Sequence, residues 1–271
     1  MKAAQALFEW FFDLKTYTLS IAMFFLLNLI LMVSYLGVVM KKTASLVLFL
    51  AFASSVFGQE QDKSFKVAVK ENIKKYNLAS SRAYEQGDIE KGQFLFDTLV
   101  NNQLVGTKFQ DYSLKKLRGG KLKLSTIKKP ILIQTYASWC VLNKGEIPAL
   151  NKLARKYNKD LKIVVVFWDR KQIVRNVASQ FASNIEVCYA NENYSKDEEV
   201  VATLKYAIGF LTSYYLDENL KVVAMKKGAP PQPPKRTPIK EAIKMNFDIY
   251  DEGLTNLLLK SGLKKETFAN Q

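Results

Sequence analysis

At 271 residues and 48% hydrophobic side chains, the chain has room for one domain of ordinary size plus extensions, with enough apolar material for a core. It has no histidine and two cysteines, which removes Ser-His-Asp and Cys-His catalysis, His-ligated zinc or haem, and any four-sulfur metal site. The formal charge is +15, but the lysines are spread over the whole sequence without a dense block, so they describe a solvated basic surface and not a nucleic-acid patch.

Neither GxxxxGK[ST] nor a GxGxxG following a strand occurs, so no nucleotide cofactor is expected. With no histidine and only two cysteines, no metal site is expected either.

Residues 1–39 form an apolar N-terminal segment. From Thr16 to Met40 there are 25 residues without a charge, long enough as a helix to cross a ~30 Å hydrocarbon layer. Residues 40–58 then have the layout of a signal peptide: Lys41 and Lys42, an apolar stretch from Leu46, and Val56-Phe57-Gly58 before polar Gln59. Either Met40 is the true start and the preceding residues are an upstream over-call, or a membrane helix is followed by a signal-anchor-like segment. Both readings deliver residues 60–271 across a membrane, into the periplasm or cell envelope, with or without an inner-membrane anchor.

Residues 59–104 carry no strand signal. Val69, Ile73 and Tyr76 share one helical face, and Phe94, Leu95, Thr98 and Leu99 another, with Gln86-Gly87-Asp88 as the turn of a helical hairpin.

Residues 105–228 alternate strand and helix signals. Leu104 to Leu114 and Lys121 to Ser125 flank Arg118-Gly119-Gly120 as a β-hairpin. The apolar run from Ile131 to Thr135 predicts a buried strand, followed by a helix from Cys140 to Tyr157. Leu161 to Trp168 reads as a strand covered on both faces. A helix from Lys171 to Ala182, a short strand from Ile185 to Tyr189 and a helix from Ser195 to Ile208 follow. Strands at Thr212 to Leu216 and Val222 to Met225 close the series, which predicts an α/β fold with a mixed central sheet and helices on both faces.

Residues 229–238 hold five of the seven prolines and read as an extended linker. Residues 239–271 form a C-terminal helical extension, with helical spacing over Ile239 to Met245 and Tyr250 to Leu259, free either to dock back on the domain or to hold a partner or membrane surface.

The chemistry concentrates at Tyr136 to Pro148, YASWCVLNKGEIP. A cysteine where a buried strand gives way to a helix meets unpaired N–H groups and the positive end of the dipole, which favours thiolate. Cys140 is therefore the candidate nucleophile. Asn143 is a candidate donor to its thiolate and Lys144 a source of positive potential. Glu146 is either a proton shuttle or a first-turn helix residue favoured by the dipole. Cys188 is the only internal resolving candidate or, alternatively, a small core residue; bridging would need Cα atoms within ~7 Å.

This turn, together with the Gly106 to Ser125 segment, resembles the TlpA/ResA-like thiol-disulfide oxidoreductases of bacterial envelopes, thioredoxin-fold proteins also called redoxins. The resemblance implies a thioredoxin-like fold and thiol-disulfide exchange with envelope proteins that carry thiols or disulfides. It places the second cysteine at Asn143, the helix-kinking proline at Pro148 and the carboxylate at Glu146. It makes Trp139 a packing and substrate-facing residue, and it sets the strand carrying Cys188 towards a sheet edge. Leu211, in the segment Gly209 to Thr212, stands where the family has a cis-proline, so a trans bond and a reshaped groove are expected. Gln134 stands where thioredoxins have a buried acid. With Asn143 in place of a resolving thiol, only a monothiol cycle completed by an external thiol reductant survives. The alternative is a non-catalytic binding or scaffold module on the same fold. A peroxide-reducing redoxin is disfavoured, because the P-x-x-x-[TS]-x-x-C approach is missing.

Overall fold

The computed structural model describes residues 62–140 and 143–260, with side chains through Thr255, and six residues of the first apolar segment: Met23, residues 26–29 and Met32. Those six are helical and solvent-exposed. The rest of the expected membrane and signal segments lies outside the described residues. Among the described residues no helix is long and apolar enough to cross a membrane. Residues 1–61 and 62–271 form separate compact units.

In the second unit the elements run α1 (Phe65–Glu85), α2 (Ile89–Leu99), β1 (Ser113–Lys116), β2 (Lys121–Lys123), β3 (Ile131–Tyr136), α3 (Glu146–Lys156), β4 (Lys162–Phe167), α4 (Lys171–Ala178) and β5 (Glu186–Tyr189). Then come the short α5 (Glu198–Val200), continued as a π-helix over Val201–Ile208, β6 (Thr212–Leu216), β7 (Val222–Lys227) and α6 (Ile239–Lys260). One seven-stranded sheet has the order β2-β1-β5-β4-β3-β6-β7. β3, β4 and β5 are mutually parallel, and the other pairings are antiparallel.

The continuous apolar runs of β3 and β4 divide between the two faces because successive side chains alternate. Ile131, Ile133, Val164, Val166 and Tyr214 meet Phe65 of α1, Phe96 of α2 and Leu204 on one side. Leu132, Tyr136, Val165, Phe167 and Tyr215 meet Leu150 and Leu153 of α3, Val174 of α4 and Tyr250 and Leu254 of α6 on the other. At about 25 cal/mol per Å² of apolar area, these two layers dominate the stability of the unit.

Three expectations are corrected. In α2 the buried stripe is Gly92, Phe96 and Leu99, so Phe94 points to solvent. β5 is not an edge strand, because β1 pairs along its outer side with Lys116 opposite Cys188. The C-terminal extension forms one helix, α6, which docks on α3 and against β6 and β7.

The third correction concerns the active turn. Its helix begins at Glu146, six residues after Cys140. Gly145 sits at φ +85°, and a Cβ there would lie 2.8 Å from the Ile243 nitrogen and 2.9 Å from the Ala242 carbonyl carbon of α6. The chain turns sharply where α6 crosses it, which prevents the helix from reaching back to the cysteine. Pro148 consequently falls in the first turn of α3, where its missing N–H leaves no bond unmade and no kink is needed.

Candidate functional site

The site is built at the ends of β3 and β4 and the start of β6. Past Tyr136, the Cys140 N–H closes a turn on the Ala137 carbonyl at 2.9 Å. Asp169, which ends the β4 run, grips this turn: its carboxylate accepts the Ser138 N–H at 2.7 Å and the Ser138 hydroxyl at 2.6 Å. Asp169 is buried, and two charge-assisted bonds from one residue fix the turn against β4.

Cys140 is half-buried and unbridged. Beside it Trp139 is 66% exposed and stands edge-to-face with Phe210, their centroids 5.2 Å apart. Phe210 is in turn fixed through its carbonyl, which accepts the Thr135 hydroxyl at 2.9 Å and the Trp168 indole N–H at 3.0 Å. Thr212 is buried with its N–H on the Thr135 hydroxyl. Leu211 is half-buried between them, on a trans peptide bond, and its carbonyl accepts the Gly228 N–H at 2.8 Å. The expected groove residues Trp139, Leu211 and Thr212 thus lie near one another, and Phe210 joins them.

The residues expected to assist the sulfur are turned elsewhere. Asn143 is buried, and its side-chain amide donates to the Pro230 carbonyl of the linker. The Lys144 ammonium donates to the Thr237 carbonyl at 2.8 Å. Glu146 is buried: Oε1 accepts the Tyr136 hydroxyl at 2.5 Å and the Tyr250 hydroxyl at 2.9 Å, while Oε2 accepts the Asn143 N–H at 3.0 Å. This carboxylate ties β3, the active turn and α6 together.

The electrostatics follow from that arrangement. Burial pushes the Cys140 thiol above the ordinary cysteine value, a backbone contact with Ala137 works the other way, and the Asp169 and Glu146 carboxylates push it further up. The expected thiolate stabilisation is therefore reversed: burial raises the thiol most, the nearby charges are negative, and the dipole of α3 starts six residues away. Burial, with Tyr250 and Glu146 close by, also holds the Tyr136 phenol well above its usual range.

Cys188 is fully buried on β5, its thiol pushed up to about 12 by burial. Through Val166 it stands level with Thr135 two strands away, about 10 Å by strand spacing, and Cys140 lies five residues further along. That separation exceeds the reach of a disulfide, so Cys188 is a core residue and not a resolving thiol. Among the described residues no group of three His, Cys, Asp or Glu side chains is placed to hold a metal ion.

Ser138, Asp169, Phe210, Pro230 and Tyr250 were not among the sequence-derived candidates. Asp169 carried one visible signal, a lone acid ending an otherwise apolar strand; the others are brought in by contacts remote in sequence.

A parallel β3-β4-β5 core flanked by the antiparallel β6-β7 pair, with Cys140 just past the end of β3, gives a thioredoxin-like fold. Residues 105–223 match the AhpC/TSA family. Among characterised relatives, the thioredoxin-like protein YneN of Bacillus subtilis is 28% identical over 115 residues, 42% of this chain and 66% of that protein. The thiol-disulfide oxidoreductase ResA of Bacillus thuringiensis is 28% identical over 123 residues, 44% of this chain and 67% of that protein. The chain therefore spans about two thirds of the length of these relatives. A solved structure of a putative thiol:disulfide interchange protein DsbE from Chlorobium tepidum is similar at 21% identity and TM-score 0.41, covering 55% of this chain and 94% of that one. Over residues 105–223 the chain is thus similar to the AhpC/TSA family and to ResA-type thiol-disulfide oxidoreductases.

Proposed function

We propose that this protein exchanges thiols and disulfides with polypeptide partners of the cell envelope through Cys140 alone. The observation that carries the reading is the half-buried Cys140 beside the exposed Trp139–Phe210 pair, an apolar platform next to the one accessible described thiol. In the first step the Cys140 sulfur attacks a partner disulfide; one new S–S bond forms, the old one breaks, and the partner's released sulfur takes up the proton lost by Cys140. With Asn143 in the second thiol position and Cys188 out of reach, an external thiol completes the cycle. It takes the place of Cys140 on the partner's sulfur and returns Cys140 to the thiol.

Export is supported by the N-terminal pattern and by the exposed Met23, Leu26, Leu27, Leu29 and Met32 of the described helical residues, which suit contact with lipid. A second reading, a binding module without turnover, is favoured by the upward-shifted Cys140 thiol.

The test is reduction of a model peptide disulfide by full-length protein, with and without added small thiol. Turnover only with thiol, abolished in Cys140→Ser, is expected. No mixed disulfide at any pH up to the range of Cys140 ionisation would leave the binding module.

A further inference from the structure

The stretch between Gly228 and α6 is anchored at two points on the active turn. At one end Pro230 is buried under Asn143; at the other, Thr237 is buried against Lys144. Between these anchors most of residues 231–236 are exposed. The first anchor is incomplete. The Asn143 side-chain nitrogen donates to the Pro230 carbonyl, but its Oδ1 is buried with no hydrogen-bond partner.

The chemistry of proline explains the missing bond. In extended backbone a residue's own N–H and C=O lie along one edge and meet a facing amide as a pair. Proline supplies the carbonyl and has no N–H to give, and Pro231 after it keeps Pro230 extended. A buried, unpaired acceptor beside a filled donor has the shape of a two-bond amide site holding a one-bond occupant.

We propose that Asn143 is a docking point for one extended, non-proline residue of a partner polypeptide, kept half-filled in the resting chain by Pro230. A partner segment presenting both N–H and C=O satisfies both atoms of the Asn143 amide and displaces the linker, while α6 stays docked through Tyr250 and Leu254. This deepens the proposed function, since Asn143 lies three residues from Cys140, but it does not depend on the reactivity of the sulfur. The position that would carry a second thiol instead binds backbone.

The test uses full-length Cys140→Ser protein and a capped peptide, Gly-Ser-Val-Ala-Val-Ser-Gly, titrated while the side-chain amide resonances of Asn143 are followed. The same peptide N-methylated at its central alanine carries a methyl in place of that N–H, and the Asn143→Leu comparison below separates the lost bond from the added bulk. The unmethylated peptide is expected to bind more tightly by roughly three- to tenfold, the effect of one hydrogen bond. Pro230→Ala restores the linker's own N–H and is expected to weaken peptide binding by a similar factor. Asn143→Leu is expected to remove the difference between the two peptides. Equal affinity of the two peptides, unchanged or tighter binding in Pro230→Ala, or no saturable shift would each overturn the proposal. If Asn143→Leu fails to fold, the peptide pair and Pro230→Ala still decide it. Alkylation of Cys140 in the wild-type chain is read separately: an inert sulfur with intact peptide binding removes the exchange reaction and leaves this site standing.

Discussion

Replacing Tyr250 with phenylalanine isolates the link between the C-terminal helix and the active turn. The ring stays, so the apolar packing of α6 on Tyr215 and Leu150 is kept, and only the hydroxyl that donates to Glu146 at 2.9 Å is lost. Glu146 is 1% exposed, so water does not replace the donor, and the carboxylate falls from three partners to two, Tyr136 and Asn143. A hydrogen bond to a charged group is worth ~1.5–3 kcal/mol. For a folded unit of this size the melting temperature should fall by roughly 3 to 12 °C. Tyr157→Phe is the internal control: its hydroxyl donates to Asp251, whose side chain is 27% exposed, and water offsets most of the loss. That control should cost less than about 1 kcal/mol. Calorimetry of the full-length chain in detergent reads both. A change in Tyr250→Phe no larger than in Tyr157→Phe would mean that Glu146 does not depend on α6, and the coupling between extension and active turn would be wrong.

Three further outcomes follow from the same geometry. Gly145→Ala forces a left-handed backbone on alanine at ~1–2 kcal/mol and drives a Cβ to 2.8 Å from the α6 backbone; limited proteolysis should show the α6 segment cleaved faster than in wild type. Asp169→Asn removes one of the negative charges that hold Cys140 neutral, so the midpoint of its iodoacetamide pH profile should move down, whereas Ser138→Ala, which keeps the carboxylate, should leave the midpoint higher than in Asp169→Asn. Cys188 binds its proton more tightly folded, about 12, than unfolded, ~8.5. Between these values the unfolded state holds fewer protons, so stability falls as pH rises, by ~1.4 kcal/mol per pH unit. Denaturant titrations at pH 8.5 and 10 should show a loss of about 2 kcal/mol from this source in wild type, absent in Cys188→Ala.

The sheet was legible in the residues because its central strands are uninterrupted apolar runs, ILI in β3 and IVVVF in β4, which only a two-sided core accommodates. The helical hairpin was legible from its turn, though not which face of α2 is buried: Gly92 lets Tyr84 approach, and Phe96 packs edge-to-face on Tyr76 while Phe94 stays exposed. The start of α3 was not legible. It is set at Gly145 by α6, nearly a hundred residues later, and local pattern carries no trace of that crossing. The same distance hid the fates of Asn143, Lys144 and Glu146, whose partners Pro230 and Thr237 lie in the linker and Tyr250 in the extension.

The high net charge of the chain does not rescue the thiolate. Surface cations act through water and are screened over about 10 Å at 0.1 M salt. Two near the site are also committed: Lys144 to the Thr237 carbonyl, and Lys205 to Glu192 at 2.6 Å. Asp169 and Glu146 act through the protein interior, where screening is weaker and their sign prevails. The Cys140 nucleophile therefore becomes more abundant about tenfold per pH unit until the thiol ionises, because only the thiolate reacts. An exchange reaction at Cys140 inherits that slope, and peptide docking at Asn143 does not. A partner-capture rate that is flat from pH 7 to 9 would locate the protein's action in binding, and a steep one would locate it at the sulfur.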